Sequence, residues 1–148
     1  MRAQELGNEY ERFVLQELTR NSSADREIIA GNQIREWHFL QLFSKIIDIR
    51  TNAKRQYAIL QKNKSLRGNN GSVLIGVDCI EVLSDKKTVT AAFDAKYTEK
   101  EKLPYKNITS SALVAGHNKL PTYIVTNVPT WDPECDSAAL LHKNLRLM

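Results

Sequence analysis

Two apolar runs constrain this chain more than anything else in it. Residues 73–82 read VLIGVDCIEV, and residues 88–97 read TVTAAFDAKY. Ser84-Asp85-Lys86-Lys87 between them is turn-prone, so strands over 73–83 and 88–97 are predicted to form a hairpin. Alternate residues of a strand point to the same face, so Asp94 and Lys96 share one. The hairpin brings Asp78 beside them. Two carboxyl groups and an ammonium on mostly apolar strands are costly to bury without partners. A divalent metal and a phosphate substrate would give all three groups partners.

Register decides whether that site exists. Residues directly opposite in an antiparallel pair share a face, and their numbers add to a constant. Asp78 faces Asp94 only if that constant is even, near 172, which implies an odd-length loop such as residues 85–87. A two-residue turn at Asp85-Lys86 would oppose Asp78 to Phe93 and send the carboxyls to opposite faces. In the even register Asp78 and Asp94 offer oxygen ligands to one ion, a set suited to Mg²⁺ or Mn²⁺ rather than zinc. Lys96 would polarise an attacking water or stabilise charge on a scissile phosphate. Lewis acidity, water activation and positioning by such an ion are the usual means of phosphodiester hydrolysis. The competing reading is a surface hairpin with a cross-strand Asp–Lys pair, which contributes little.

Around the hairpin the pattern is mostly helical. Leu6, Tyr10, Phe13, Val14 and Leu18 recur at helical spacing, so residues 5–20 read as an amphipathic helix. Ile28-Ile29 and Gly31 lie in a short linker or strand. Trp37, Leu40, Phe43, Ile46 and Ile47 make a second helical stripe over 34–49, although the cluster Ile46, Ile47, Ile49 also suits a strand. Residues 52–64 are expected to be a further helix with basic residues outward, making 34–66 a helical insertion. A short helix is expected from Ile108 to Gly116, a strand over Thr122–Thr126, and a last helix N-capped by Ser137 and running through Leu145. With 148 residues, no repeat and no composition break, the chain reads as one α/β or α+β domain.

Charge distribution says more than the formal net charge of +4. Between Asp48 and Asp78 there is no acidic residue, while Arg50, Lys54, Arg55, Lys62, Lys64 and Arg67 all occur there. Such a stretch would attract a polyanion, or serve as a solvated surface. No apolar stretch approaches the roughly 20 residues of a membrane span. The N-terminus lacks the apolar core of a secretory signal. Cys79 and Cys135 have no metal-ligand spacing, which favours reduced thiols in a cytosolic or nuclear setting. His38, His117 and His142 lack nearby ligands and read as surface or capping residues. Trp37 and Trp131 read as core or loop anchors, and Tyr97 and Tyr105, beside lysines, as weak candidates for nucleic-acid contact.

Gly76-Val77-Asp78, then a hairpin and Phe93-Asp94-Ala95-Lys96-Tyr97, resembles the PD-(D/E)xK nuclease superfamily, nearest to Mrr-like restriction endonuclease domains. Ser110–Ala115 and Tyr123-Ile124-Val125-Thr126-Asn127 look like the helix and Thr-ended strand that follow in that group. Gly7-x-x-Tyr10-Glu11-Arg12 is similar to a first-helix segment of Mrr-like enzymes and archaeal Holliday-junction resolvases. The similarity covers about residues 6–20 and 73–127. Val77 stands where the superfamily often has Pro, and the second acid is Asp rather than the commoner Glu.

The resemblance implies a restriction-endonuclease-like core, a central mixed sheet flanked by helices. It implies a metal-dependent DNA endonuclease in which Asp78 and Asp94 hold Mg²⁺ or Mn²⁺. Glu11 would complete the acidic cluster or hold a second ion through water, and Lys96 would assist the attacking water. Cutting both strands needs two sites, so a homodimer, a higher oligomer or a larger nuclease–helicase assembly is expected. Two alternatives stay open: a structure-specific nuclease for junctions or flaps, and a non-catalytic nucleic-acid-binding or assembly module led by the basic segment. RNA stays open as a substrate.

Overall fold

A computed structural model describes residues 3–42, 46–51, 54–60, 72–75, 77–108, 120–141 and 145–147. Helix α1 spans Ala3–Asn21 and is followed by strand β1, Arg26–Ala30, and a 3₁₀ turn at Gly31–Gln33. Next come helix α2, Glu36–Leu42, and strands β2, Ile46–Thr51, β3, Lys54–Leu60, and β4, Ser72–Ile75. Strands β5, Cys79–Leu83, and β6, Val89–Lys96, form the central hairpin. The remainder is β7, Lys102–Leu103, a 3₁₀ turn at Tyr105–Asn107, β8, Thr122–Thr126, β9, Thr130–Trp131, helix α3, Pro133–Leu141, and β10, Leu145–Leu147.

The main sheet is mixed and five-stranded, in the order β1-β5-β6-β8-β10. β1, β5 and β6 are antiparallel neighbours, and β8 and β10 run parallel to β6. Helices cover both faces, because alternate residues of β5 and β6 serve different cores. Cys79, Ala91 and Phe93 pack with Leu15 and Leu18 of α1. Ile80, Val82, Val89 and Ala92 pack with Phe39 and Leu42 of α2. A third cluster joins Leu103, Ile108, Ile124 and Cys135, with Trp131 against it. Trp131 also donates its indole N–H to Asp136 at 2.8 Å, the anchoring role read from its sequence context.

Val89 shares a core with Ala92 although their numbers differ in parity. The hairpin explains this. Near the turn the pairing is Leu83 with Thr88 and Val82 with Val89, whereas beyond it Glu81 faces Ala91 and Cys79 faces Phe93. Thr90 is therefore an extra residue, a bulge that shifts the register by one. The loop of residues 84–87 is even in length, contrary to the odd loop expected. The bulge restores the even register that places Asp78 opposite Asp94.

Several other expectations are corrected. The helical insertion over 34–66 is mostly β: α2 stops at Leu42, and β2, β3 and β4 form a separate three-stranded antiparallel sheet. The β-branched Ile46, Ile47 and Ile49 restrict side-chain rotation in a helix but suit a pleated strand. Within α2 the inward side is His38, Phe39 and Leu42, while Trp37 and Leu40 are exposed. His38 is buried, not a surface residue: Nδ1 accepts the Arg35 N–H at 2.9 Å, and Nε2 donates to the Lys86 carbonyl at 3.0 Å. The expected strand over 73–83 is two strands in two sheets, with a bend at Asp78. The last helix starts at Pro133, where a missing N–H costs nothing, and Leu145 opens a strand beside β8. Ile108 is a buried turn residue, and the helix expected after it, with Ser110, Ser111 and His117, lies outside the described residues, as does His142. Among the described residues no helix is long and apolar enough to cross a membrane.

Candidate active site

Asp78 sits at the bend just before β5, where its N–H still donates to the Phe93 carbonyl at 3.1 Å. Its side chain reaches further along β6: Oδ2 accepts the Ala95 N–H at 2.6 Å. That bond fixes the carboxyl against the strand that carries Asp94 and Lys96. The Asp78 and Asp94 carboxyl groups are hydrogen-bonded to one another. Lys96 Nζ stands 3.1 Å from Asp94 Oδ2. Three residues from two neighbouring strands thus meet at one end of the hairpin, as the even register requires.

Burial raises the pKa of the Asp78 carboxyl most, and repulsion by the Asp94 charge adds to it. The Ala95 N–H acts the other way, and the net effect lifts Asp78 from 3.8 to about 8. Glu11, on α1, adds a smaller repulsion. Cys79, next in sequence, is pushed to about 12 by burial first and by the same carboxylates second. This corner of the fold therefore concentrates negative charge without enough compensation from the chain. Thr126, the cross-strand neighbour of Lys96, carries a buried hydroxyl with no hydrogen-bond partner. A cation with its water shell would satisfy both deficits.

Two adjoining cavities open onto the site, sharing Asn8, Glu11 and Ala95 as walls. The inner one, about 360 Å³, lies between α1 and the sheet and includes Arg12, Gly31, Asp78 and Phe93 in its lining. The outer one, about 490 Å³, is lined by Gly7, Lys96, Tyr97 and Lys100 among others. Glu11 borders both, which places it near Asp78. Among the described residues, however, no three His, Cys, Asp or Glu side chains are close enough to share one ion. The carboxyl pair is assembled directly, and Glu11 stands beside it.

Of the basic residues singled out in the sequence, Arg50, Lys54 and Arg55 lie on the β2–β3 hairpin, where Arg50 pairs with Arg55 across the strands. Lys62, Lys64 and Arg67 lie outside the described residues. The sequence reading missed Asn8, Arg12 and Gly31 as site walls. Helical spacing alone would have found the first two, since 4, 8, 11 and 12 fall on one side of a helix that presents Glu11. Comparison with known proteins finds no matching family model, no similar curated protein and no similar solved structure.

Proposed function

We propose that this chain is a metal-dependent DNA endonuclease that hydrolyses phosphodiester bonds. The observation that carries the reading is the facing pair Asp78 and Asp94 with Lys96 at 3.1 Å from Asp94. The restriction-endonuclease-like arrangement is part of the same proposal, supported by a first helix on an antiparallel β1-β5-β6 meander with β8 parallel to β6.

The residues fit a divalent cation. Asp78 and Asp94 supply hard oxygen donors, burial and mutual repulsion disfavour the metal-free ionised pair, and the orphaned Thr126 hydroxyl lies next to Lys96. Mg²⁺ or Mn²⁺ held by Asp78 and Asp94 would supply Lewis acidity and a more acidic water. The Ala95 N–H keeps the Asp78 carboxyl in place, which leaves its second oxygen for ligation. Lys96, steered by Asp94, is placed to donate to a phosphate oxygen or to the attacking water, where its charge opposes the negative charge that develops. Glu11 takes its part through water, bordering both cavities. The acid-free stretch with Arg50, Lys54, Arg55, Lys62, Lys64 and Arg67 would add sequence-independent attraction for the backbone. Double-strand cutting would bring two copies together, or place the chain within a larger nuclease–helicase assembly.

The test is incubation with supercoiled, linear and branched DNA, and with RNA, with and without Mg²⁺ or Mn²⁺. Metal-dependent cutting that disappears in Asp94→Ala and in Lys96→Ala supports the enzyme. Nucleic-acid binding that survives both substitutions, with no cutting by the parent, replaces it with a binding module.

A further inference from the structure

The two cavities differ in chemistry, and the difference bears on what kind of nucleic acid reaches Asp78. The inner space has a largely apolar floor, including Leu15, Cys79, Phe93 and Ala95, with polar groups at its rim on α1, Asn8 and Arg12. An unpaired nucleobase has that character, a flat apolar body with a hydrogen-bonding edge. Its volume of about 360 Å³ falls at the low end of the roughly 300–1,000 Å³ found for small-ligand sites. That is room for one nucleotide unit and not for a base pair held in its stack. The outer space holds Lys96 and Lys100, with Glu99 and Glu11 as opposing charges, and suits a sugar-phosphate segment. Tyr97 also lines it, with its ring 6.1 Å from that of Tyr10. Aromatic groups beside a basic track are the usual means of holding single strands.

We infer that the groove beneath α1 takes one unpaired nucleotide, base in the inner cavity and phosphate in the outer, so that the preferred substrate has an unpaired strand. The inference rests on the nuclease reading for the phosphate's position at Lys96, and it selects among the substrates that reading allows. A continuous duplex presents no such base without extruding it, which costs a few kcal/mol of stacking and pairing.

Gly7 provides the means of testing it. It lies on the α1 side of the outer cavity, and a Cβ built there meets nothing within 4 Å. Gly7→Trp fills the track without a clash at Cβ, while Gly7→Ala leaves it open and controls for the helix. Binding is measured with Ca²⁺ in place of Mg²⁺, using a 12-nucleotide single strand, a forked duplex and a blunt duplex, and cutting is then measured with Mg²⁺. Melting curves show that each variant is folded. The expected result is at least tenfold preference for the single strand and fork over the blunt duplex. Gly7→Trp should lose that preference at least tenfold, while Gly7→Ala and the Mn²⁺ affinity of Gly7→Trp stay within twofold of the parent. Equal binding and cutting of the blunt duplex, or preference untouched by Gly7→Trp, overturns the inference and leaves the nuclease standing. Selective single-strand binding blocked by Gly7→Trp, with no cutting by any form, keeps the groove and removes the nuclease.

Discussion

The β5–β6 hairpin holds an aspartate near each end, and the two are treated oppositely. At the turn, Asp85 accepts the Lys87 N–H at 2.8 Å, the Thr88 N–H at 2.9 Å and the Thr88 hydroxyl at 2.7 Å. Those bonds, led by the Thr88 backbone, hold its pKa down at about 2. At the far end Asp78 has the Ala95 N–H but lies buried against a second carboxyl, and its pKa goes up to about 8. One carboxylate is completed by its own loop, which fixes a left-handed Lys86 at φ 63°. The other is left in need of a positive partner that the chain does not fully supply. Unmet electrostatic demand of this kind is what marks a binding or catalytic carboxyl, because folding alone gains nothing from it.

The strongest way to break this contrast is to remove the demanding end. Asp94→Ala or Lys96→Ala should each reduce metal-dependent cutting by about 10² to 10³, the usual loss when a preorganised charge is taken from a reacting centre. Initial rates on the best DNA substrate measure it. Loss of less than about fivefold in both would show that this end is as structural as the turn.

Stability against pH sharpens the same contrast. Because Asp78 has a higher pKa folded than unfolded, the folded state keeps a proton that the unfolded chain releases. Its contribution is full below about pH 4 and is lost as the pH rises through about 8. The total is on the order of a few kcal/mol. Asp85 has the reverse sign: its contribution is present above about pH 4 and is lost as the pH falls toward 2. Urea titrations of the metal-free protein between pH 4.5 and 8.5 should therefore show falling stability. Asp78→Asn should flatten that slope and leave the protein more stable than the parent at high pH. Added Mn²⁺ should restore the parent at pH 8 but not Asp78→Asn. A parent profile already flat would remove the electrostatic argument for the site.

The turn end has its own prediction. His38 and Gln41 of α2 clasp the turn: His38 bonds the Lys86 carbonyl, and Gln41 bonds the Lys87 carbonyl and, at 2.8 Å, the Val89 N–H. His38→Phe leaves the Arg35 N–H and the Lys86 carbonyl without partners, at a cost of about 2 kcal/mol. Urea unfolding measures this. Mn²⁺ affinity at the far end should stay within twofold, and a larger change would mean the two ends are coupled.

The sequence carried the alternation of β5, β6 and β8 openly, because their apolar residues serve cores on both faces while the polar ones gather at the end. It also carried the requirement that Asp78 and Asp94 pair in an even register. The means were hidden: a single extra Thr90 looks like any strand residue, and only paired backbones reveal a bulge. The span 34–66 was misread because Trp37, Leu40, Phe43, Ile46 and Ile47 fit helical spacing as well as strand alternation. The rotamer stiffness of three isoleucines carried more weight than spacing. His38 was unreadable as a buried group, since its partners are backbone atoms, one of them 48 residues away. Gly31 gave no sign of its importance either, being one glycine in a polar connection.

That glycine offers the smallest and most local change. A Cβ at Gly31 would lie 3.3 Å from the Asp78 carbonyl oxygen and 3.4 Å from that of Val77, tight enough to ask the bend for a few tenths of an ångström. The bend aims Asp78, so Gly31→Ala should displace a ligand rather than remove one. Since a misplacement of about 1 Å can cost on the order of 10² in rate, a shift this small should weaken cutting and Mn²⁺ affinity about threefold. Stability should change by less than about 1 kcal/mol. The turn at Ser84–Thr88 is too far along the hairpin to be affected, so the protection of its amides from hydrogen exchange should be unchanged. If Gly31→Ala lowers protection there while leaving Mn²⁺ affinity intact, the bend serves the fold of the hairpin and not the aim of its carboxyl.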